Sequence, residues 1–411
     1  MNMTPQLDAL LKQFKQNPMY FFSLSSKELF HSNFLEFLFQ TDCEKFFKII
    51  DKILGTDFSS APDKYVLSRE KEKFDICISH KVETKRGKEA DCYDLIIENK
   101  VKSIPYYTQL EGYQNKADEH NKNLGNPQVK ILLLSLVQNF PDKAKIEEHY
   151  SSIDGQKIWT IAHYDKLCTL IRREFSDHPM IGQYVKDYCD FLDLLDALQQ
   201  SIIDDNATGL FNNADTYKPY RFHDIYAKLR SALFLMDFKQ AIEQEVKKYK
   251  MDVKFVDSIH DVIIAEKYAP GIYLHYGINQ GVGVADIWIP IWKGNRICKY
   301  EIVIQGVQYR HGYSEPTLDK NPQPKVDQLW DANGKGGVEQ DPFYKDFKYG
   351  NGIYGPLSES GMRGQYCQYS HQGRATYLYT YLKIDNLDRA KLLDIAIKDT
   401  LKLLNENKNW L

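Results

Sequence analysis

The sequence predicts an α/β domain followed by an α+β domain, and three observations predict it. In the first half, helix-period and strand-period segments follow one another as helix, antiparallel strands, helix, buried strand, helix. Residues 204–218, DDNATGLFNNADTYK, are rich in Asn, Asp, Gly and Thr and carry no periodicity, which marks a linker. Beyond it, several strand-like runs stand between a long helical segment and a closing one. The division expected is residues 1–203, a linker over 204–218, and 219–411. A chain of 411 residues is too long for one typical core, and 43% hydrophobic residues supply enough apolar material for two.

In chain order, the first strong element follows Leu24-Ser25-Ser26, where Phe30, Phe34, Phe37 and Leu38 recur at helical spacing and predict a helix with that face buried. The runs KYVLSRE, KFDICIS and CYDLIIENK then read as short strands, with the charged segment KVETKRGKEAD turning between the last two. YYTQLEGYQNKADEHN reads as a helix opened by Pro105, because proline lacks only an N–H that the first turn leaves unpaired. QVKILLLSLV is apolar without alternation, as a strand buried on both faces requires. KIWTIAHYDKLCTLIRREF adds a strand and a helix, and Gly182 to Ile203 is helical. In the second half, a helix over about 224–249 precedes the runs HDVIIAE, GIYLHYGI, ADIWIPIW and YEIVIQGVQY, and a helix closes over about 387–406. The span from Tyr313 to Gln365 is rich in Gly and Pro, and a loop of that length is more often functional or mobile than a packed element.

Composition excludes several classes of function. Seven scattered cysteines, with no C-x-x-C pair, make neither a zinc site nor a disulfide framework. No stretch reaches the roughly 18 to 20 apolar residues of a membrane span, and MNMTPQLDALLKQF lacks the apolar core of a signal peptide, so a cytoplasmic protein is expected. A formal net charge of −3 argues against a protein that coats polyanions generally, and is compatible with phosphate contacts confined to one groove.

The chemistry concentrates in Leu95-Ile96-Ile97-Glu98-Asn99-Lys100. On a strand, Glu98 and Lys100 project from the same face. Hard carboxylates hold a divalent cation that activates water against a phosphodiester, and a lysine beside it offsets developing negative charge. Asp94 lies on the same face in a regular strand, but four residues at ~3.3 Å each separate it from Glu98 by roughly 13 Å, too far to share one ion. Asp75 is better placed. If KFDICI and DLIIENK form an antiparallel hairpin whose midpoint falls between Arg86 and Gly87, Asp75 is the residue opposite Glu98.

The pattern F-D-I-C-I, then Y-D-L-I-I-E-N-K, then Q-L-E-G-Y resembles the PD-(D/E)XK nuclease superfamily, in particular its bacterial branch with an E-N-K strand and a Q-L-x-x-Y helix. S-K-E-L-F-H-S-N-F-L-E-F-L-F is similar to that family's opening helix, so the resemblance covers about residues 25–113. Phe74 stands where the name motif has proline, and Asn99 fills its variable position. The resemblance implies a restriction-endonuclease-like first domain with a mixed sheet flanked by helices. It also implies Mg²⁺, or Mn²⁺ in its place, on Asp75 and Glu98, with Lys100 as catalytic lysine and Gln109 with Tyr113 as a supporting pair. Glu28 would be an accessory acid on the metal.

Other roles are open to some of these residues. Ser25-x-x-Glu28 is also a capping box. Gln109 and Tyr113, at i and i+4, form a helix pair by spacing alone. His31 reads as a polar residue at the helix surface, Glu70 with Glu72 as a charged strand edge, and Lys100 as a cleft residue outside the core. In the second half, Asp286 and Gln305 faintly echo the first site, but Val307 stands where a lysine would be needed. Tyr309, Arg310, His311, Tyr313 and Lys345 either stack on nucleic acid or pack within a sheet. The expected function is Mg²⁺-dependent hydrolysis of nucleic acid, with DNA favoured, in bacterial or phage defence, the second domain selecting substrate or partner and a homo-oligomer left open. The rival is a nonhydrolytic binding or scaffold protein on the same fold.

Overall fold

In the computed structural model, the described residues are 5–22, 28–84, 87–101, 103–122, 124, 128–149, 158–205, 208–256, 270–293, 296–314, 367–370 and 376–406. They cluster into two compact units, one of residues 1–204 with 216–225 and one of residues 205–215 with 226–411.

In the first unit the β-prone runs between residues 65 and 100 become three antiparallel strands, β1 (Tyr65–Arg69), β2 (Ile76–Glu83) and β3 (Glu89–Lys100). The helix after β3, α5 in chain order (Tyr107–Lys122), carries the chain across the sheet. It returns β4 (Lys130–Ser135) parallel to β3, and β5 (Trp159–His163) is parallel to β4. The result is a mixed five-stranded sheet in the order β1-β2-β3-β4-β5. The unalternating run Ile131-Leu132-Leu133-Leu134 sits buried between β3 and β5, as a strand covered on both faces must.

Before the sheet come α1 (Pro5–Gln16), α2 (Pro18–Phe22), α3 (Glu28–Thr41) and α4 (Cys43–Leu54). After β4 come α6 (Lys143–Glu147), α7 (Tyr164–Phe175) and α8 (Gly182–Ile203). Helix α4 is bounded by local chemistry: Asp42 accepts the Lys45 N–H at 2.9 Å, and Gly55 ends it in the left-handed region at φ +67°. Helix α3 buries a different stripe from the one its phenylalanines predict. His31, Ser32, Phe34, Leu35 and Leu38 are buried, whereas Phe37 is 40% exposed. The imidazole of His31 hydrogen-bonds Tyr188 on α8 at 3.2 Å, so a hydrogen bond lets a histidine replace a surface position with a core one. Helix α5 begins at Tyr107, two residues after Pro105, where Asp142 accepts the Tyr107 N–H at 3.0 Å.

The β2–β3 hairpin contains one irregularity. Pairs run Ile76↔Ile97, Cys77↔Ile96 and Ile78↔Leu95, then shift to Ser79↔Tyr93, so Asp94 is the extra residue of a β-bulge. The shift moves Asp94 off the face of Glu98. Its carboxylate meets His80 Nδ1 at 2.6 Å on the other side. Residues 85–86 of the turn lie outside the described residues, and beside them Gly87 has φ +70°.

The second unit contains α10 (His223–Val246), which α9 (Ala214–Tyr217) precedes and whose first residues cluster with the first unit. It also contains β6 (Asp252–Phe255), β7 (Gly271–Asn279), β8 (Val282–Lys293), β9 (Arg296–Gln305), β10 (Gln308–Ser314), β11 (Cys367–Ser370), β12 (Thr376–Lys383) and α11 (Arg389–Glu406). The sheet order is β11-β12-β10-β9-β8-β7-β6, antiparallel except for β6 with β7, and with its helices it makes the expected α+β unit. YEIVIQGVQY, read as one run, is in fact the end of β9, a two-residue turn at Gly306-Val307, and the start of β10. Gly306 has φ +58° and Val307 is not left-handed, the pairing of a type II′ hairpin. Tyr309 and His311 are fully buried beneath α11: both bond Asp399 Oδ2, at 2.8 and 2.9 Å. They pack within the unit and do not stack on a ligand. The run HDVIIAE, Lys345 and nearly all of the Tyr313–Gln365 span lie outside the described residues.

Candidate active site

Continuing the hairpin register by one residue from Ile76↔Ile97 sets Asp75 across from Glu98, at the end of the sheet away from the turn. Asp75 is presented by a tight turn, residues 70–73, in which Glu70, Glu72 and Lys73 have φ of 54°, 53° and 75°. Each such non-glycine residue costs of order 1 kcal/mol and persists where its surroundings fix it. Here Phe74, 0% exposed, anchors the turn edge-to-face on Tyr93 and Tyr113, with ring centroids 6.1 and 5.3 Å away. Glu70 and Glu72 therefore shape a strained corner and are not a strand edge, and the Tyr93 hydroxyl donates to Glu72 at 3.2 Å. Beyond the corner, Asp75 Oδ2 accepts the Asn99 backbone N–H at 2.7 Å.

Glu98 and Lys100 share a face of β3, as their two-residue spacing requires, and Lys100 Nζ donates to Glu98 Oε1 at 2.6 Å. Both are buried, at 2% and 6% exposure. Lys100 is thus more enclosed than a cleft residue, because its carboxylate partner goes into the interior with it. Gln109 on α5 donates through Nε2 to Glu98 Oε1 at 2.9 Å and to the Tyr113 hydroxyl at 2.7 Å. The i, i+4 pair and the link to Glu98 are one network. Glu28, at the start of α3, accepts from the Ser103 hydroxyl. Ser25, its capping-box partner, lies outside the described residues.

The electrostatics follow from burial. Desolvation pushes the Glu98 carboxyl up to about 7, with Lys100 pulling down and Asp75 and Glu28 pushing further up. Desolvation likewise raises Asp75 to about 6, against the Asn99 N–H and Lys100, with Glu28 and Glu70 adding to the rise. For Lys100, burial works to lower the ammonium, but Glu98, Glu28 and Asp75 outweigh it and its pKa moves up. Of the six residues singled out in the sequence, Glu28, Asp75 and Glu98 therefore act on one cation, Lys100, and Gln109 joins Glu98 to Tyr113, while Asp94 stands apart with His80.

Two residues were missed. Asn99, between Glu98 and Lys100, projects to the opposite face, where Nδ2 donates to Ser32 on α3 at 2.8 Å and Oδ1 accepts from Tyr164 on α7 at 2.9 Å. The alternation of the strand carries that signal: a polar residue between two site residues must have partners behind the sheet. Glu70 had no such signal. We expect Asn99→Ala to lower the unfolding free energy by about 1–3 kcal/mol, since Ser32 and Tyr164 both lose a buried partner. Urea titration reads this, and an unchanged midpoint would mean the two hydroxyls find other partners.

The donor set fits a hard divalent cation in part. Glu98 Oε2 is buried with no hydrogen-bond partner among the described residues, and the carboxylates outnumber the cation beside them. Among the described residues no three His, Cys, Asp or Glu side chains make a complete metal-ligand group. Two carboxylates with water and phosphate oxygens completing the shell is the arrangement that Mg²⁺ commonly adopts.

Comparison with known proteins agrees with this geometry. A family model described as the PD-(D/E)XK nuclease superfamily matches residues 16–190, a span that holds the whole five-stranded sheet and all six of these residues. No curated protein matches the chain. No helix among the described residues is long and apolar enough to cross a membrane.

Proposed function

We propose that this chain, whose residues 16–190 match the PD-(D/E)XK nuclease superfamily, is a metal-dependent nuclease acting on DNA, with Asp75, Glu98 and Lys100 as its catalytic centre. The observation that carries the proposal is Glu98 Oε2, without a hydrogen-bond partner among the described residues, buried beside Lys100 and in register with Asp75. A buried carboxylate oxygen without a donor is costly, and a cation relieves that cost.

Asp75 and Glu98 would hold Mg²⁺, with Mn²⁺ able to replace it, and Glu28 would add negative charge from α3. When bound, the metal supplies Lewis acidity toward the phosphate and lowers the pKa of the attacking water. Gln109 holds Glu98 Oε1, which keeps the carboxylate oriented and its other oxygen available. Lys100 places a fixed ammonium where negative charge builds as water adds to phosphorus and the P–O bond breaks to a phosphate monoester and an alcohol. The reading includes a role in bacterial or phage defence, which the family resemblance supports, and a cytoplasmic location.

The test is cleavage of single- and double-stranded DNA and RNA with Mg²⁺, by wild type and Asp75→Asn, together with Mn²⁺ titration by calorimetry. DNA cleavage and metal binding by wild type, both lost in the variant, are expected. Cleavage confined to RNA would overturn the choice of substrate. Neither metal binding nor cleavage of any substrate would leave the rival reading, a nonhydrolytic binding protein.

A further inference from the structure

The strained corner before Asp75 and helix α5 face one another across an open recess of about 490 Å³, lined by Glu72, Lys73, Lys116, Glu119 and His120. Both walls lead to the acidic cluster. On one, Lys73 stands two residues before Asp75. On the other, Gln109, Tyr113, Lys116 and His120 recur at helical spacing and share one face of α5, and that face starts at Glu98, to which Gln109 donates. Phe74 joins the walls by packing edge-on against Tyr113. The floor is fixed: His120 lies parallel to Tyr93, at 5° with ring centroids 4.1 Å apart, and its Nε2 donates to the Asp91 carbonyl at 2.8 Å.

The lysines of this corner and wall are not alike. Lys71 is tied down, with Asp91 at 2.9 Å and the Tyr93 ring centroid 4.9 Å beneath it. Lys73 and Lys116 are exposed and, among the described residues, have neither a hydrogen bond nor an ion pair, although Glu72 and Glu119 line the same recess. Glu72 is engaged from below by the Tyr93 hydroxyl. Lys73 also holds φ at 75°, where glycine is the easier residue. The corner therefore sets a long cationic side chain at a position whose backbone disfavours any side chain, and leaves it without a protein partner.

We propose that Lys73 and Lys116 together hold a backbone phosphate of the DNA substrate, outside the phosphodiester that is cut; the inference rests on the nuclease reading of the acidic cluster. Seven residues at ~1.5 Å each set Lys116 about 10 Å along α5 from Gln109. A DNA strand carries one phosphate per ~3.4 Å of helix axis, so the phosphate held is about three nucleotides from the one cleaved. Two ammonium groups meeting one phosphate fix the register of the strand over Glu98 and carry no sequence information. Glu119, one turn from Lys116, opposes the anion and keeps the contact weak enough for product to leave.

Fluorescence anisotropy with two labelled DNA duplexes of unrelated sequence tests it, using the full-length Lys100→Met protein with Mg²⁺ so that cleavage does not intervene. Losing one phosphate contact at 0.1 M salt removes a factor of about 10^0.9, so Lys73→Gln with Lys116→Gln is expected to weaken both duplexes about eightfold. The slope of log affinity against log salt should become shallower by about one. Lys73→Gly separates binding from folding: it relieves the left-handed backbone, so its melting temperature should hold or rise while DNA binding weakens about threefold, half of the pair's effect on a logarithmic scale. Glu119→Gln should tighten binding about twofold. Unchanged affinity and slope in the double variant overturn the inference, as does a loss confined to one duplex, which would mean a base contact. A lowered melting temperature for Lys73→Gly would make Lys73 structural, and no gain from Glu119→Gln would place the phosphate elsewhere; either overturns the paired site. If the Lys100→Met protein binds no DNA at all, the nuclease reading falls together with the inference. If it binds DNA equally with and without the two lysines, the inference falls alone.

Discussion

Replacing Lys100 by methionine is expected to cut DNA cleavage about a thousandfold at saturating Mg²⁺, the scale of losing one charge-stabilising donor in a desolvated site. Methionine keeps most of the buried volume, so packing around β3 changes little. The lost ion pair is the larger concern for folding, since Lys100 and Glu98 are buried together at 2.6 Å. Glu98 answers that loss by taking up a proton, which its position near pH 7 already makes easy. The variant should therefore melt as a folded protein while its initial rate of cleavage collapses. A variant keeping more than about a tenth of the wild-type rate would remove Lys100 from the chemistry.

The second large effect is on stability against pH in the absence of metal. Glu98 sits at about 7 against an ordinary 4.5, and Asp75 at about 6 against 3.8. A carboxyl raised in the folded state contributes its stability in full below its unfolded pKa and loses it as pH rises through the folded value. The metal-free wild type is thus expected to lose stability relative to Glu98→Gln between about pH 5 and pH 8, by about 3 kcal/mol for a shift of this size at ~1.4 kcal/mol per pH unit. Paired urea titrations in EDTA at the two ends of that window read the difference. Adding Mg²⁺ at the upper end should restore the wild type and leave the variant unmoved. A difference that does not vary with pH would mean that Glu98 is not held in the protonated range.

What the sequence made legible, and what it hid, divides along physical lines. The strands of the first unit, the buried ILLL run and the 182–203 helix announce themselves by period and by apolar content, because burial on one or two faces leaves a direct mark on residue order. The register of Asp75 with Glu98 was legible only in part: the turn-side pair Glu83↔Glu89 centres on Arg86, which alone would set Asp75 across from Ile97, and the bulge at Asp94 is what brings it to Glu98. The bulge was not: it carries neither Gly nor Pro, and without it Asp94 reads as lying on the face of Glu98 when it faces His80. The corner before Asp75 was hidden for the same reason, its left-handed positions being Glu70, Glu72 and Lys73 and not glycines. His31 was misread because burial of a histidine depends on a partner 157 residues away, Tyr188. The turn at Gly306 did leave a signal, a glycine between two alternating runs, which the continuous apolar pattern masked.

The bulge at Asp94 gives the hairpin two phases. Between it and the turn, inward and outward positions follow one parity, and between it and the sheet end they follow the other, so Tyr93 and Glu98 face the same side though five residues apart. Removing the extra residue would leave Tyr93 and Glu98 four residues apart on one face of a regular strand, with Asp75 still across from Glu98. The extra residue is thus absorbed where it sits, and the half of the hairpin that carries the carboxylates keeps its pairing with it or without it.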